Sequence, residues 1–277
     1  MKLKTLAIAI ALGAMPFAAQ AELKISGDIS VGYFGDATGG TSIKENGSEI
    51  NIDASETVGG TTFYGHTEID FQGTGNAAQF QEVRVGAKGA WGEVILGDAD
   101  NGCGQLDVGG YPDVWFANNQ GGCKGSGDSI VLYKRSMGAA TVAVSHNPND
   151  GSEHSAIGIQ GKVGPVKASL GYESGDDLGD NDKNVVLGLA GSFGPVSVGL
   201  RANKADAYDN AAIGVNAAYK FGPHKVYGGF GQDSAETDRW SVGYNRSLGS
   251  NTTFVAEFAE SDGDSDTSYG IGLKHAF

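Results

Sequence analysis

Residues 23–33, "LKISGDISVGY", set Leu23, Ile25, Ile29, Val31 and Tyr33 on one parity and Lys24, Ser26, Asp28 and Ser30 on the other. Successive side chains of a strand point to opposite faces, so this stretch reads as a strand with one apolar and one polar face. The same split recurs along the chain. In "GTTFYGHTEIDFQ" Phe63, Ile69 and Phe71 oppose His66, Glu68 and Asp70, and in "PVKASLGYE" Val166, Ala168, Leu170 and Tyr172 oppose Lys167, Ser169 and Glu173. In "PVSVGLRAN" Val196, Val198, Leu200 and Ala202 oppose Ser197, Arg201 and Asn203.

The turns repeat as well. "KVGPVK", "SFGPVS" and "KFGPHK" place Pro165, Pro195 and Pro223 at intervals of 30 and 28 residues. That interval fits a hairpin of two strands of about ten residues, a tight turn and a longer loop. Polar, acidic stretches such as "GDDLGDND" and "SDGDSD" lie between the tight turns, so short and long connections alternate. The alternating segments number 16, beginning near Leu23, Glu49, Thr61, Gln79, Glu93, Asp128, Ala140, Glu153, Pro165, Lys183, Pro195, Asn210, Lys225, Thr237, Asn251 and Thr267.

The first 21 residues stand apart. Lys2 and Lys4 precede the apolar run "TLAIAIALGAMPF" and a small-x-small ending at Ala19-Gln20-Ala21, the pattern of a cleaved secretory leader with Glu22 as the first mature residue. Outside the cytoplasm a disulfide persists, so the two cysteines, Cys103 and Cys123, are expected to pair. Without the leader the chain has 17 basic and 33 acidic side chains, a net charge of −16, which disfavours nucleic acid as a partner. No later apolar stretch approaches the 20 residues or so of a membrane helix.

Which solvent meets which face decides the fold. Mid-strand charges (Asp28, Asp53, Glu68, Asp70, Glu82, Arg84, Arg201, Glu257) share the polar parity, and the exceptions Arg246, Glu260 and His275 sit near strand ends. Tyr33, Phe34, Phe193, Tyr219, Phe221 and Phe277 collect near strand ends in the manner of interfacial girdles. The expectation is an all-β transmembrane antiparallel barrel of 16 strands around an aqueous lumen, its oily face toward lipid. A soluble sandwich would hide that face against a second sheet.

Several segments carry a family resemblance. "YGIGLKHAF" ends on Phe277 and resembles the closing strand that the outer-membrane assembly machinery reads. "LKISGDISVGYF", "VRVGAKGAWGEVILGD" and "DSIVLYKRSMGAATVAVSH" are similar to their counterparts in Gram-negative general porins, 16-stranded trimeric diffusion channels of the outer membrane. The resemblance covers essentially residues 22–277, with external loops shorter than usual. It implies one barrel domain, a homotrimer in contact with outer-membrane lipid and lipopolysaccharide, and passage of small hydrophilic solutes and ions.

The resemblance also places a constriction. General porins fold the third external loop into the lumen, and residues 98–127 occupy that position, with both cysteines inside them. "LDVGGYPDVW" is similar to the loop's acidic part, which implies Asp107 and Asp113 as pore-facing carboxylates. Arg84 in "EVRVGAKG" and Lys134 in "LYKRS" match basic positions of the opposite wall. Two further wall positions that are basic in enterobacterial porins carry Asp28 and Glu49, so the wall is partly reversed in sign and cation selectivity is expected.

No catalytic, cofactor or metal motif accompanies these features. His66, His146, His154, His224 and His275 are scattered without H-E-x-x-H, and neither C-x-x-C nor G-x-S-x-G occurs. His66 shares the polar parity and is expected at the lumen without a catalytic role. "DGDSD" (262–266) starts like a calcium loop but has Leu273 where the bidentate Glu is required, so it reads as an acidic solvated loop, with weak divalent bridging to lipopolysaccharide as the lesser alternative. A sugar-selective channel would need an aromatic ladder, for which Tyr64, Trp115 and Tyr227 are the candidates; a plugged structural or adhesive barrel is the non-transport rival. The short second external loop, "QGTGNAAQ", offers little with which to latch a neighbouring subunit.

Overall fold

A computed structural model describes residues 22–35, 40–71, 78–110, 122–123, 126–149, 153–175, 183–206, 208–262 and 268–277. The leader, Asp113, Trp115, most of the second external loop (72–77) and the acidic stretches 176–182 and 263–267 lie outside the described residues.

The strands are β1 (Glu22–Gly35), β2 (Thr41–Glu45), β3 (Ser48–Val58), β4 (Thr61–Phe71), β5 (Gln79–Gly89), β6 (Gly92–Asp100), β7 (Ser126–Met137), β8 (Ala140–Asn147) and β9 (His154–Val163). They continue as β10 (Val166–Gly175), β11 (Lys183–Phe193), β12 (Val196–Ala205), β13 (Ala212–Phe221), β14 (His224–Gln232), β15 (Asp238–Ser247), β16 (Thr252–Ser261) and β17 (Ser268–Ala276). Each runs antiparallel to its neighbours, and β17 returns to β1, Asp28 facing Ala276 and Gly35 facing Tyr269, so the sheet closes into a barrel. Phe277 completes the seam, its backbone N–H donating to Gly27 O at 3.0 Å and its carbonyl accepting from Gly27 N at 3.1 Å.

Seventeen strands make sixteen staves. The first half of β1 pairs with β3 and the second half, Val31–Gly35, with β2, so β2 and β3 are two pieces of one stave. Asn46 and Gly47 interrupt it, Gly47 at φ +72°. The break is stitched to β1: Ser30 N donates to Ser48 Oγ (3.0 Å) and Asn46 N to Ser30 O (3.0 Å). "TSIKE" is five residues long and ends at Asn-Gly, a turn signal, so its sequence reads as loop rather than strand.

The tight turns follow from their Gly-Pro pairs. Gly164, Gly194 and Gly222 have φ of 59°, 63° and 56°, and each is followed by a proline. A positive first φ with a second φ near −65° is the combination a type II′ hairpin turn needs. The ladders accordingly start at Val163–Val166, Phe193–Val196 and Phe221–His224.

The apolar parity faces outward. Ile29, Val31, Leu170, Leu187, Val215 and Val242 are all exposed, whereas Asp28, Ser30, Ser169, Glu173, Ser241 and Glu257 are buried. In water this would be inverted; in a bilayer an outward apolar band is what a barrel presents. At the turn end the aromatics form a belt, with Tyr219 stacked on Phe221 (5.6 Å between centroids) and Phe221 on His224 (5.0 Å). Phe34 departs from the girdle expected of it. It sits one residue off the parity of Tyr33, is 5% exposed on the inner face, and Lys44 Nζ lies 5.2 Å from its ring centroid.

This orientation generates a stability prediction. Val242, outward-facing near the middle of β15, is 47% exposed. Val242→Arg is expected to destabilise refolding into lipid vesicles, measured by urea titration, by about 2–4 kcal/mol, while Asn51→Arg on the inner face leaves refolding intact.

Candidate pore constriction

The segment between β6 and β7, residues 101–125, starts at a buried asparagine. Asn101 Oδ1 accepts from the N–H of Cys103 and of Gly104, both at 2.9 Å, and so turns the chain into a 3-10 turn, Gly104–Leu106. Its Nδ2 donates to Glu173 Oε1 on β10 at 2.6 Å. The path then runs along the inner wall. Gly102 N donates to Ser145 Oγ (2.8 Å), Gln160 Nε2 to Leu106 O (2.9 Å), Val108 N to Ser169 Oγ (3.2 Å) and Asn216 Nδ2 to Gly109 O (2.9 Å). On the return, Asn184 Nδ2 donates to Gly122 O (3.0 Å) and to Glu173 Oε2 (2.8 Å). The anchors come from strands β8 to β13, all from the inward parity.

The wall is also cut back to receive the backbone. A Cβ on Gly171 would lie 2.1 Å from Cys103 Sγ, and one on Gly188 would lie 2.1 Å from Val108 O. Only glycine allows so close an approach. Cys103 and Cys123 are bonded, as the sequence led one to expect, with Cα atoms 5.7 Å apart. The bond ties the outgoing segment to the returning one.

Asp107 is not a free pore-facing carboxylate. Its Oδ2 lies 3.0 Å from Arg201 on β12, and its side chain is 6% exposed. Burial pushes its pKa up, and that outweighs the opposing pull of Arg201 and of the backbone N–H groups of Cys123 and Val108. The physical reason for its orientation is Arg201, which rises from the wall directly beneath the segment. Lys134, expected opposite the loop, instead serves it: Nζ is 3.0 Å from Gln105 Oε1 and 3.0 Å from Glu93 Oε2, and Glu93 accepts from Tyr64 Oη at 2.7 Å. Asp113 lies outside the described residues.

The facing wall is acidic. In a ring of sixteen staves β3 and β11 are eight apart, so β1 and β3–β5 lie across from the anchored segment. Glu49 faces both Asp28 and Asp70, Asn51 faces Glu68, Glu68 faces Glu82, and His66 stands between Asp53 and Arg84. Against the carboxylates of Asp28, Glu49, Asp53, Glu68, Asp70 and Glu82 stand Arg84, which contacts Glu82, Lys274, 3.0 Å from Asp28, and Lys24 opposite Asp53, with Lys44 over the Phe34 ring and Lys88 over the Tyr64 ring on the same inner parity. Arg84, Asp28 and Glu49 therefore share one wall, to which Lys134, two staves beyond β5, is joined through Glu93 and Tyr64, while Asp107 belongs to the other side. The alternating parity marks each of these acids as inward-facing, but strand register is what gathers them. Arg201, Asn101, Asn184, Asn216 and Glu173 are the anchoring residues that a sequence reading misses, since a polar residue on a lumen face carries no mark of what it holds.

The sequence profile of a family described as Gram-negative porin matches residues 5–266. No curated protein matches the sequence. Among solved structures, a loop-deletion variant of OmpT, an outer membrane protein of Vibrio cholerae, is similar at a TM-score of 0.77 and 17% identity, covering 93% of this chain and 99% of that one. A triple mutant of the Rhodopseudomonas blastica porin is similar at 0.73 and 14% identity, covering 92% of this chain and 100% of that one.

The Asp107–Arg201 pair sets a pH-dependent expectation. Arg201→Met leaves a buried carboxylate without its cation, at a cost of about 3–5 kcal/mol at neutral pH. Because burial raises the Asp107 pKa, the cost is present above that pKa and fades as pH falls through it and the group takes up a proton. Limited proteolysis of the variant should therefore cut residues 101–125 readily at pH 8 and less at pH 4, with the parent chain resistant at both.

Proposed function

Because this chain belongs to the Gram-negative porin family, an outer-membrane channel family, we propose that it passes small hydrophilic solutes and ions by passive diffusion with a preference for cations. Residues 1–21 are the cleaved leader, residues 22–277 form one barrel domain, residues 98–127 make its constriction, and the working unit is a homotrimer in contact with lipopolysaccharide. The observation that carries the cation preference is the acidic wall of β1 and β3–β5 across from a segment whose Asp107 is neutralised by Arg201.

The mechanism has no chemical step. Solutes pass between the anchored segment, which sets the size limit, and the carboxylate wall, which sets the potential. Low-dielectric walls focus that potential into the lumen and raise the local concentration of cations over anions. Water in the lumen screens it, so the preference weakens as the Debye length shrinks from about 10 Å at 0.1 M salt to about 3 Å at 1 M. A sugar-selective ladder has less support, because Tyr64 and Tyr227 lie six staves apart and each hydroxyl is held by a carboxylate, Glu93 and Glu257.

Reversal potentials across planar bilayers in a KCl gradient test this reading. Cation preference is expected, reduced several-fold in a variant carrying Glu49→Gln, Glu68→Gln and Asp70→Asn; anion preference in the parent chain would overturn it. Conductance steps in threes are expected for a trimer. The double variant Cys103→Ser, Cys123→Ser opens a ring of about 20 residues whose closure is worth about 3 kcal/mol, so its open-channel current should be noisier.

A further inference from the structure

The inner faces of β3, β4 and β5 place two rows of side chains side by side. Asp53, His66 and Arg84 form one row, and Asn51, Glu68 and Glu82 the next. Glu68 and Glu82 are direct cross-strand partners, an arrangement that like charges make unfavourable unless a cation relieves it. The ladder shifts register immediately afterwards, between Glu68 and Ile69, the kind of irregularity that re-aims side chains beside functional sites.

His66 is oriented as a ligand would be. Its Nδ1 lies 2.7 Å from Asp53 Oδ1, and since a carboxylate only accepts, Nδ1 carries the proton. In the neutral ring Nε2 then presents a lone pair toward the two glutamates. That nitrogen is buried and has no hydrogen-bond partner among the described residues; the His66 side chain is 11% exposed and Nε2 lies 3.5 Å from Glu82 Oε2. One donor atom from each of His66, Glu68 and Glu82 falls within 4.8 Å of the others.

We propose that His66, Glu68 and Glu82 form a lumenal binding site for a transition-metal dication of the zinc type, with Asp53 as the residue that positions His66. One imidazole nitrogen and two carboxylate oxygens balance a 2+ charge, and zinc takes such N/O sets at about 2.0–2.2 Å with water in the remaining position. A hydrogen bond from a carboxylate to the far ring nitrogen is the usual support of a metal-binding histidine. Imidazole suits zinc, copper or nickel, whereas magnesium and calcium look for all-oxygen sets of higher number. Arg84 contacts the same Glu82 carboxylate, so the ion competes with its guanidinium and Arg84→Met should tighten the site.

Binding needs only the folded barrel; an effect on current rests also on the diffusion-channel reading above. The test is calorimetric titration of Zn2+ into the tag-free barrel refolded in detergent. One saturable site per chain is expected, weakened at least about ten-fold by His66→Gln and about ten- to a hundred-fold by Asp53→Asn, which keeps every ligand and so covers a failure of the first variant to refold. Mg2+ at the same concentration should give no saturable heat. Absence of saturable Zn2+ binding, or equal affinity in the parent and both variants, would overturn the site. In bilayers Zn2+ should lower the current of the parent chain and not that of His66→Gln. A barrel that binds Zn2+ but carries no current keeps the site and removes the channel reading; one that conducts but takes up no Zn2+ does the reverse.

Discussion

Everything in this structure depends on a sheet that has no free edge. Hydrocarbon offers no partner for a backbone N–H or C=O, so a strand assembly can live there only if its first and last strands pair. β1 and β17 do so, and the terminal Phe277 extends the seam to Gly27. Closure fixes which way each side chain points, because register and parity cannot slip by one residue without carrying every apolar group inward. The broken second stave shows how much irregularity closure tolerates: β2 and β3 divide one partner of β1 between them, and Ser48 and Asn46 keep the ladder satisfied across the gap.

With the wall fixed, the lumen is furnished by polarity rather than by packing. A segment lying on an apolar wall would leave its carbonyls and N–H groups unpaired; here Ser145, Gln160, Ser169, Asn184 and Asn216 satisfy them one by one. The buried Glu173 on β10 accepts from Asn101 of the outgoing part and from Asn184 on β11, which in turn holds Gly122 of the returning part. The two halves of the lumen thus differ in kind. One seats the segment through hydrogen bonds and the Asp107–Arg201 pair, and the other lines up the carboxylates of β1 and β3–β5.

The barrel is legible in the sequence because its signals are local. Two-residue alternation, Gly-Pro turns and strand length all lie within a few residues of one another, which is why the strand starts at Thr61, Gln79, Ala140 and Lys183 fall where the pattern puts them. The anchored segment is less legible because its described part is held by contacts far apart in the chain. Resemblance alone makes Asp107 a pore carboxylate, and only the placement of Arg201 across the register turns it into an anchor. Phe34 errs for a simpler reason, since adjacent aromatics cannot both face lipid on one strand. Glu68 and Glu82 look like ordinary lumen acids until pairing sets them face to face beside His66.

The cross-link has a bearing on how the chain matures. Cys103 is buried, its sulfur held against the wall at Gly171, in space that a single methyl group would fill. An oxidase approaching a finished barrel would have to reach that sulfur from inside a narrow, water-filled tube, past the segment it is meant to tie. Disulfide exchange depends on access to sulfur, and Cys103 is reached most readily while the polypeptide is still open. A cross-link made at that stage would enter the barrel as a preformed hairpin.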